Sequence, residues 1–289
     1  MAKISRRNLR RHDDACALLA LDRPLTMEEI DQVLEGWHEG AGHANSRMGA
    51  HFTPYGLARD MAIEGATQGR ILDLCAGIGT LSVAHYRHMN ACARTPTEGQ
   101  EKYTLVEMNP DYAAVARRLM PGAEVIVGSV FDPVLIAELR SRDFDLTISN
   151  PPYGSYNTAS GKSPRYTGSD CHYAVIDVAS EVSRYGVFLI PQTATPFRFS
   201  GRASYSEVHP SACERYHLFR KQTGIEFAFN CGIDTDFYKE EWRDVSITVE
   251  IVLADFTKAA ARRKSDAQAF VEAASREPGR QASLFDLAA

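Results

Sequence analysis

The chain has 289 residues, 44% of them hydrophobic and 24% charged, and its formal net charge is −5. That length and balance describe one large globular domain with appendages, or two small ones, and exclude a disordered or fibrous chain. An acidic balance also excludes a protein that holds nucleic acid by its overall charge, so any phosphate contact must come from basic residues clustered locally.

The start of the chain, Met1 to Asp14, is basic with no apolar stretch behind it. No apolar run nears the roughly 18 residues of a membrane helix, so a cytoplasmic protein without membrane contact is expected. Residues 1–48 read as a helical extension, because Thr26-Met27-Glu28-Glu29 has the form of a capping box before the apolar positions Ile30, Val33, Leu34 and Trp37. Gly40-Ala41-Gly42 then interrupts the pattern.

From residue 71 to residue 191, apolar runs of strand length alternate with helix-length amphipathic segments. Strands are expected at 71–75, 103–108, 123–130, 144–150 and 185–191, and helices at 80–89, 111–120, 133–141 and 172–184. Such alternation predicts an α/β fold, a mostly parallel sheet with helices on both faces. Residues 225–233 and 245–255 are two further strand candidates with a short connection, which predicts an antiparallel hairpin at the edge. The catalytic domain is expected over 49–257, and its polar, locally basic stretch 192–224 is the candidate for target recognition. Residues 258–289 read as a helical and linker tail. The six cysteines have no CxxC spacing, so reduced thiols and no metal are expected.

Four constellations carry chemistry. Asp73-Leu74-Cys75-Ala76-Gly77-Ile78-Gly79-Thr80 joins a strand to a helix, where glycines let a ligand approach the backbone and the helix offers free N–H groups. An ordinary tight turn would read the same. Glu107 ends the next strand, where an acid can accept both ribose hydroxyls of an adenosine-containing cofactor. Asp132, after the third strand, suits either an adenine amino group or the N-cap of a helix starting at Pro133.

The most specific signal is Asn150-Pro151-Pro152-Tyr153 after the fourth strand. Consecutive prolines fix φ and supply no donors, leaving a rigid loop that presents acceptors. An amino group on an aromatic ring is a poor nucleophile because its lone pair is delocalised. If the Asn150 side-chain oxygen and the Pro151 carbonyl accept its two hydrogens, the nitrogen is biased towards tetrahedral geometry, and Tyr153 can stack on the ring.

With these motifs the chain resembles the Rossmann-like amino-methyltransferases, above all the adenine-N6 DNA methyltransferases with gamma-type motif order. The resemblance covers residues 49 to about 255. It implies S-adenosyl-L-methionine as cofactor, held by His51, Phe52, Thr53 and Pro54, by Asp73, Ala76, Gly77, Gly79 and Thr80, and by Glu107, Met108, Asp132 and Asn150. It implies catalysis by Asn150, Pro151, Pro152 and Tyr153 on an adenine flipped out of DNA. No large separate recognition domain is present, so Lys162, Arg165, Arg198 and Arg202 are the candidate substrate contacts.

The tail Gln281-Ala282-Ser283-Leu284-Phe285 resembles the peptide by which bacterial replication proteins dock on the polymerase sliding clamp. Gln281 and Ser283 would be polar anchors, with Leu284 and Phe285 entering an apolar pocket. Such a tether would raise the local DNA concentration and offset the acidic net charge. Rival readings are methylation of cytosine N4, of adenine in RNA or of a protein glutamine amide, and a non-catalytic clamp-bound adaptor.

Overall fold

A computed structural model describes residues 5–38, 51–67, 69–91, 97–155, 162–243 and 247–276. Five strands follow the expected alternation: β1 (Ile71–Leu74), β2 (Tyr103–Glu107), β3 (Glu124–Val127), β4 (Phe144–Ser149) and β5 (Ser183–Pro191). Two two-residue strands, β6 (Phe197–Arg198) and β7 (Ser206–Glu207), pair separately, and β8 (Phe227–Phe229) and β9 (Val249–Asp255) complete the main sheet.

The seven strands run in the order β3-β2-β1-β4-β5-β9-β8. β1 to β5 are mutually parallel, and β9 is antiparallel to both β5 and β8. The expected edge hairpin is therefore present. Its outer strand is only three residues long, because β8 pairs on one side and little of 225–233 gains a ladder.

Inward-facing residues split by parity between the two faces of the sheet. Leu72, Leu74, Phe144, Phe188 and Ile190 join one core with α6 (Pro133–Arg140), α7 (Cys171–Val182), α8 (Glu214–Thr223) and the start of α9 (Phe256–Arg276). Ile71, Tyr103, Leu105, Ile148 and Leu189 join the other with α1 (Arg6–Leu19), α2 (Met27–Gly36), α3 (Tyr55–Glu64), α4 (Thr80–Met89) and α5 (Pro110–Leu119). Strands covered on both sides read as continuous apolar runs, the pattern seen in the sequence.

The N-terminal extension is a helical hairpin tied to this second face. The capping box closes α2 as expected, with Glu29 N donating to Thr26 Oγ1 at 3.3 Å and Thr26 N donating to Glu29 Oε2 at 2.8 Å. Arg118 donates to the carbonyls of Leu19, Leu21 and Arg23 at the end of α1, and Arg243 to those of Leu34, Glu35 and Trp37 at the end of α2. These carbonyls would otherwise lack partners, so the arginines fasten the hairpin where its helices are weakest. Among the described residues no helix is long and apolar enough to cross a membrane.

Candidate active site

β1 and β4 are neighbours where the strand order reverses, so the loops leaving their carboxyl ends diverge and open a crevice. Both sequence motifs lie on these loops. The first turns sharply: Cys75, Gly77 and Gly79 all have positive φ, at 62°, 57° and 87°. A Cβ on Gly77 would stand 3.0 Å from Phe52 Cε1, so glycine is needed for both conformation and space. The loop then enters α4, whose first residue is Thr80.

Glu107 closes the crevice from β2. Its Oε2 accepts from Gly77 N and its Oε1 from Asn109 N, both at 2.8 Å. Burial raises its pKa, against the lowering effect of these backbone donors. Asp73 lies under the loop, where Oδ2 accepts from Ser82 Oγ at 2.6 Å and Oδ1 is buried without a partner. Desolvation, opposed by Ser82 and reinforced by Glu107, pushes the Asp73 carboxyl up to about 7.

A folded-state pKa above the unfolded value stabilises the protein at low pH and ceases to do so as pH rises through the folded value. Asp73 should therefore make the ligand-free protein lose a few kcal/mol between about pH 4 and pH 7. Melting temperature against pH, compared with Asp73→Asn, measures this. The variant should flatten that window, and equal slopes in the two proteins would contradict the assignment.

From β4, Asn150 joins the two sides of the crevice. Its Nδ2 donates to the His51 carbonyl and to Thr53 Oγ1, both at 3.0 Å, while Tyr153 Oη donates to Asn150 Oδ1 at 2.5 Å. Two acceptors behind the amide leave Oδ1 on the side of Tyr153 and the cavity. Ser149 Oγ donates to the Leu74 carbonyl, fastening the end of β4 to the end of β1.

These groups enclose a cavity of about 390 Å³. His51, Phe52, Thr53, Ala76, Gly77, Thr80, Glu107, Met108, Asn150, Pro151, Pro152 and Tyr153 all line it. Pro54, Asp73, Gly79 and Asp132 are not among the lining residues. Asp132 caps α6, its Oδ1 accepting from Val134 N at 2.8 Å, and Gly128 to Phe131 just before it line the wall instead. Of the two roles open to Asp132, the structure places the N-cap.

Sequence reasoning missed Tyr112, Phe131 and Cys171, which also line the cavity. Tyr112 packs edge-on to Phe52 at 5.0 Å and to Trp37 at 5.5 Å. Only its place one turn into the helix after β2 could have marked it, and an apolar-face residue there reads as core.

The site fits an adenosine-bearing cofactor. Glu107 offers a carboxylate, Gly77 a cradle that a Cβ would fill, and Phe52 with Tyr112 an aromatic wall.

The four expected substrate contacts do not form one group. Arg165 is drawn inward to Asp177 Oδ1 at 3.2 Å and to Glu181. Asp177 is fully buried and also accepts from Arg165 N and Tyr166 N at 2.6 and 2.9 Å, which pins the segment after the Pro-Pro loop onto α7. Arg198 donates to the carbonyls of Thr195 and Phe197 at 2.9 and 2.8 Å. Lys162 and Arg202 are exposed. Arg165→Ala should thus lower stability by about 1–3 kcal/mol in denaturant titration, because a buried carboxylate loses its charged partner and keeps only the donors of Ser163, Arg165 N and Tyr166 N. A stable variant with weakened substrate binding would restore the phosphate role.

No protein-family model matches the chain. It is 34% identical over 87 residues to the ribosomal RNA small subunit methyltransferase C of Escherichia coli O9:H4 (strain HS), covering 30% of this chain and 22% of that protein. The corresponding protein of Escherichia coli (strain SMS-3-5 / SECEC) is 36% identical over 87 residues, with the same coverage. The chain thus spans about a fifth of the length of the curated relatives it matches.

A Vibrio vulnificus YJ016 protein described as the modification subunit of a type I restriction enzyme superposes with TM-score 0.51 at 12% identity, over 81% of this chain and 50% of that one. The DrdV–DNA complex superposes with TM-score 0.51 at 13% identity, over 79% of this chain and 29% of that one. The chain thus shares the fold of these two solved proteins, a mostly parallel sheet whose strand order reverses at the cavity.

Proposed function

We propose that the protein is an S-adenosyl-L-methionine-dependent methyltransferase acting on the N6 amino group of adenine in DNA. The observation that carries this reading is Asn150-Pro151-Pro152-Tyr153 on the wall of the cofactor cavity, with the Asn150 amide held from behind by His51 and Thr53. The bound cofactor supplies an electrophilic methyl group on a sulfonium. Asn150 Oδ1 and the Pro151 carbonyl accept the two hydrogens of the target amino group, turning its lone pair towards that methyl. Tyr153 releases Asn150 Oδ1 and stacks on the flipped base. The nitrogen takes the methyl as its bond to sulfur breaks, becomes positively charged, and gives its acidic proton to water, so no strong base is needed.

Support for DNA comes from the likeness to a restriction-enzyme modification subunit and to a protein solved with DNA. A second reading, a base amino group in RNA, is favoured by the partial identity to the ribosomal RNA methyltransferases. In this proposal Gln281, Ser283, Leu284 and Phe285, which lie outside the described residues, dock on the sliding clamp.

The test is transfer from labelled cofactor to unmethylated bacterial DNA and, separately, to RNA, followed by digestion to nucleosides and mass spectrometry. N6-methyldeoxyadenosine is the expected product. Label in RNA alone would install the second reading, and deletion of residues 281–289 should abolish clamp binding without changing transfer to short DNA.

A further inference from the structure

We infer that the first two turns of α1 are a phosphate-binding surface, and that a nucleic-acid backbone enters the active site from the N-terminal side rather than along 192–224. This rests on the nucleic-acid reading above and names the surface that reading leaves open.

Arg6, Arg7, Arg10 and Arg11 fall within six residues of a chain with net charge −5. Several guanidinium groups elsewhere in the protein are paired with acids: Arg23 with Glu29, Arg142 with Glu124 and Glu138, Arg165 with Asp177 and Glu181. Arg11 is paired with Glu35 at 3.2 Å, but Arg6, Arg7 and Arg10 are exposed and have no acidic partner among the described residues.

Helix stability does not account for them. A helix N-terminus favours acids, yet the first turn of α1 holds none, and its aspartates, Asp13 and Asp14, come later. Nor can the helix insert its apolar side into a membrane, because Ala15 and Leu18 are packed against the second core.

The position of these arginines relative to the catalytic cavity supplies the second observation. Asn8 and Arg11 of α1, with the exposed Arg59 of α3, line a hollow of about 640 Å³ that shares Phe52 and Thr53 with the cofactor cavity. Arg7 lies one helical turn before Arg11, and Arg6, Arg7 and Arg10 stand outside the lining of the hollow, on the same two turns of α1. Glu35, Glu240 and Glu241 also line this hollow. The acids disfavour phosphate on the floor, and Thr53, which lines both the hollow and the catalytic cavity, is bonded to Asn150.

The experiment measures binding of a fluorescent DNA duplex and of a single-stranded RNA across about 0.05–0.3 M salt, for the full chain and for R6Q/R7Q/R10Q. R184Q is the control, since Arg184 sits at the start of β5, at the amino ends of the parallel strands and away from the cavity. Each lost phosphate contact lowers the slope of log K against log salt by about 0.9. The triple variant should therefore lose about 2–3 in slope and at least about tenfold in affinity near 0.1 M salt.

Cofactor affinity should stay within about twofold, which establishes that the variant is folded. Loss on RNA alone supports the surface and changes the polymer. A triple variant with the parent's slope and affinity overturns the inference while leaving the proposed function intact. If the unmodified protein binds cofactor but neither polymer, the nucleic-acid reading fails first and the inference with it.

Discussion

Asn150→Ala is expected to lower methyl transfer by about three orders of magnitude, the scale on which losing one well-placed polar group at a reacting centre is felt. The structure adds a second, smaller effect. Nδ2 of this residue also holds the His51 carbonyl and Thr53 Oγ1, so the segment beside the cofactor loosens and cofactor affinity falls several-fold. Thr53→Val separates the two, because it removes one tether and leaves Oδ1 in place. It should reproduce the loss in affinity with only a minor loss in the rate at saturating cofactor. Single-turnover rates and cofactor titrations for both variants decide the matter. An Asn150→Ala enzyme that keeps its rate at saturating cofactor would remove this residue from the chemistry.

Glu107→Ala is expected to weaken cofactor binding by at least about a hundredfold. Hydrogen bonds to a charged acceptor contribute about 1.5–3 kcal/mol each, and two ribose hydroxyls are the expected donors. The same carboxylate receives Gly77 N and Asn109 N, so its removal also frees two backbone donors that shape the glycine turn. Glu107→Gln keeps one oxygen acceptor and should fall between the two proteins. Calorimetric titration with the cofactor and with its adenosine portion checks the position of the contact. A Glu107→Ala protein that binds adenosine as tightly as the parent would place the ribose elsewhere.

Much of the fold is legible before any coordinates. Strand-length apolar runs alternating with amphipathic segments demand parallel strands, since such runs are buried on both faces and need a helix to return the chain. The capping box at Thr26 and Glu29 and the helix over Thr80–Met89 lie where local chemistry puts them. Element ends were less legible. Residues 225–233 shrink to the three-residue β8, since only pairing decides how much of an apolar run becomes strand.

The site divides in the same way. Glycine spacing, Glu107 at a strand end and the Pro-Pro loop are local features, and they could be read from residue order. The roles of individual cations could not. Arg165 looks like Arg6 in a sequence, yet one is drawn to a buried aspartate twelve residues away and the other stands in solvent. Asp132 suits a cap or a ligand in the sequence, and only the structure shows Val134 N on its carboxylate.

By itself, then, the sequence determined the alternating α/β order, the glycine turn and the Asn-Pro-Pro-Tyr loop, because each depends on backbone preferences and burial patterns within a few residues. The tertiary structure alone decided that His51 and Thr53 meet Asn150, almost a hundred residues later in the chain, and which arginines remain unpaired. Those outcomes depend on strand order and on which surfaces end up facing one another, and side-chain hydrogen bonds form only after packing has chosen the partners.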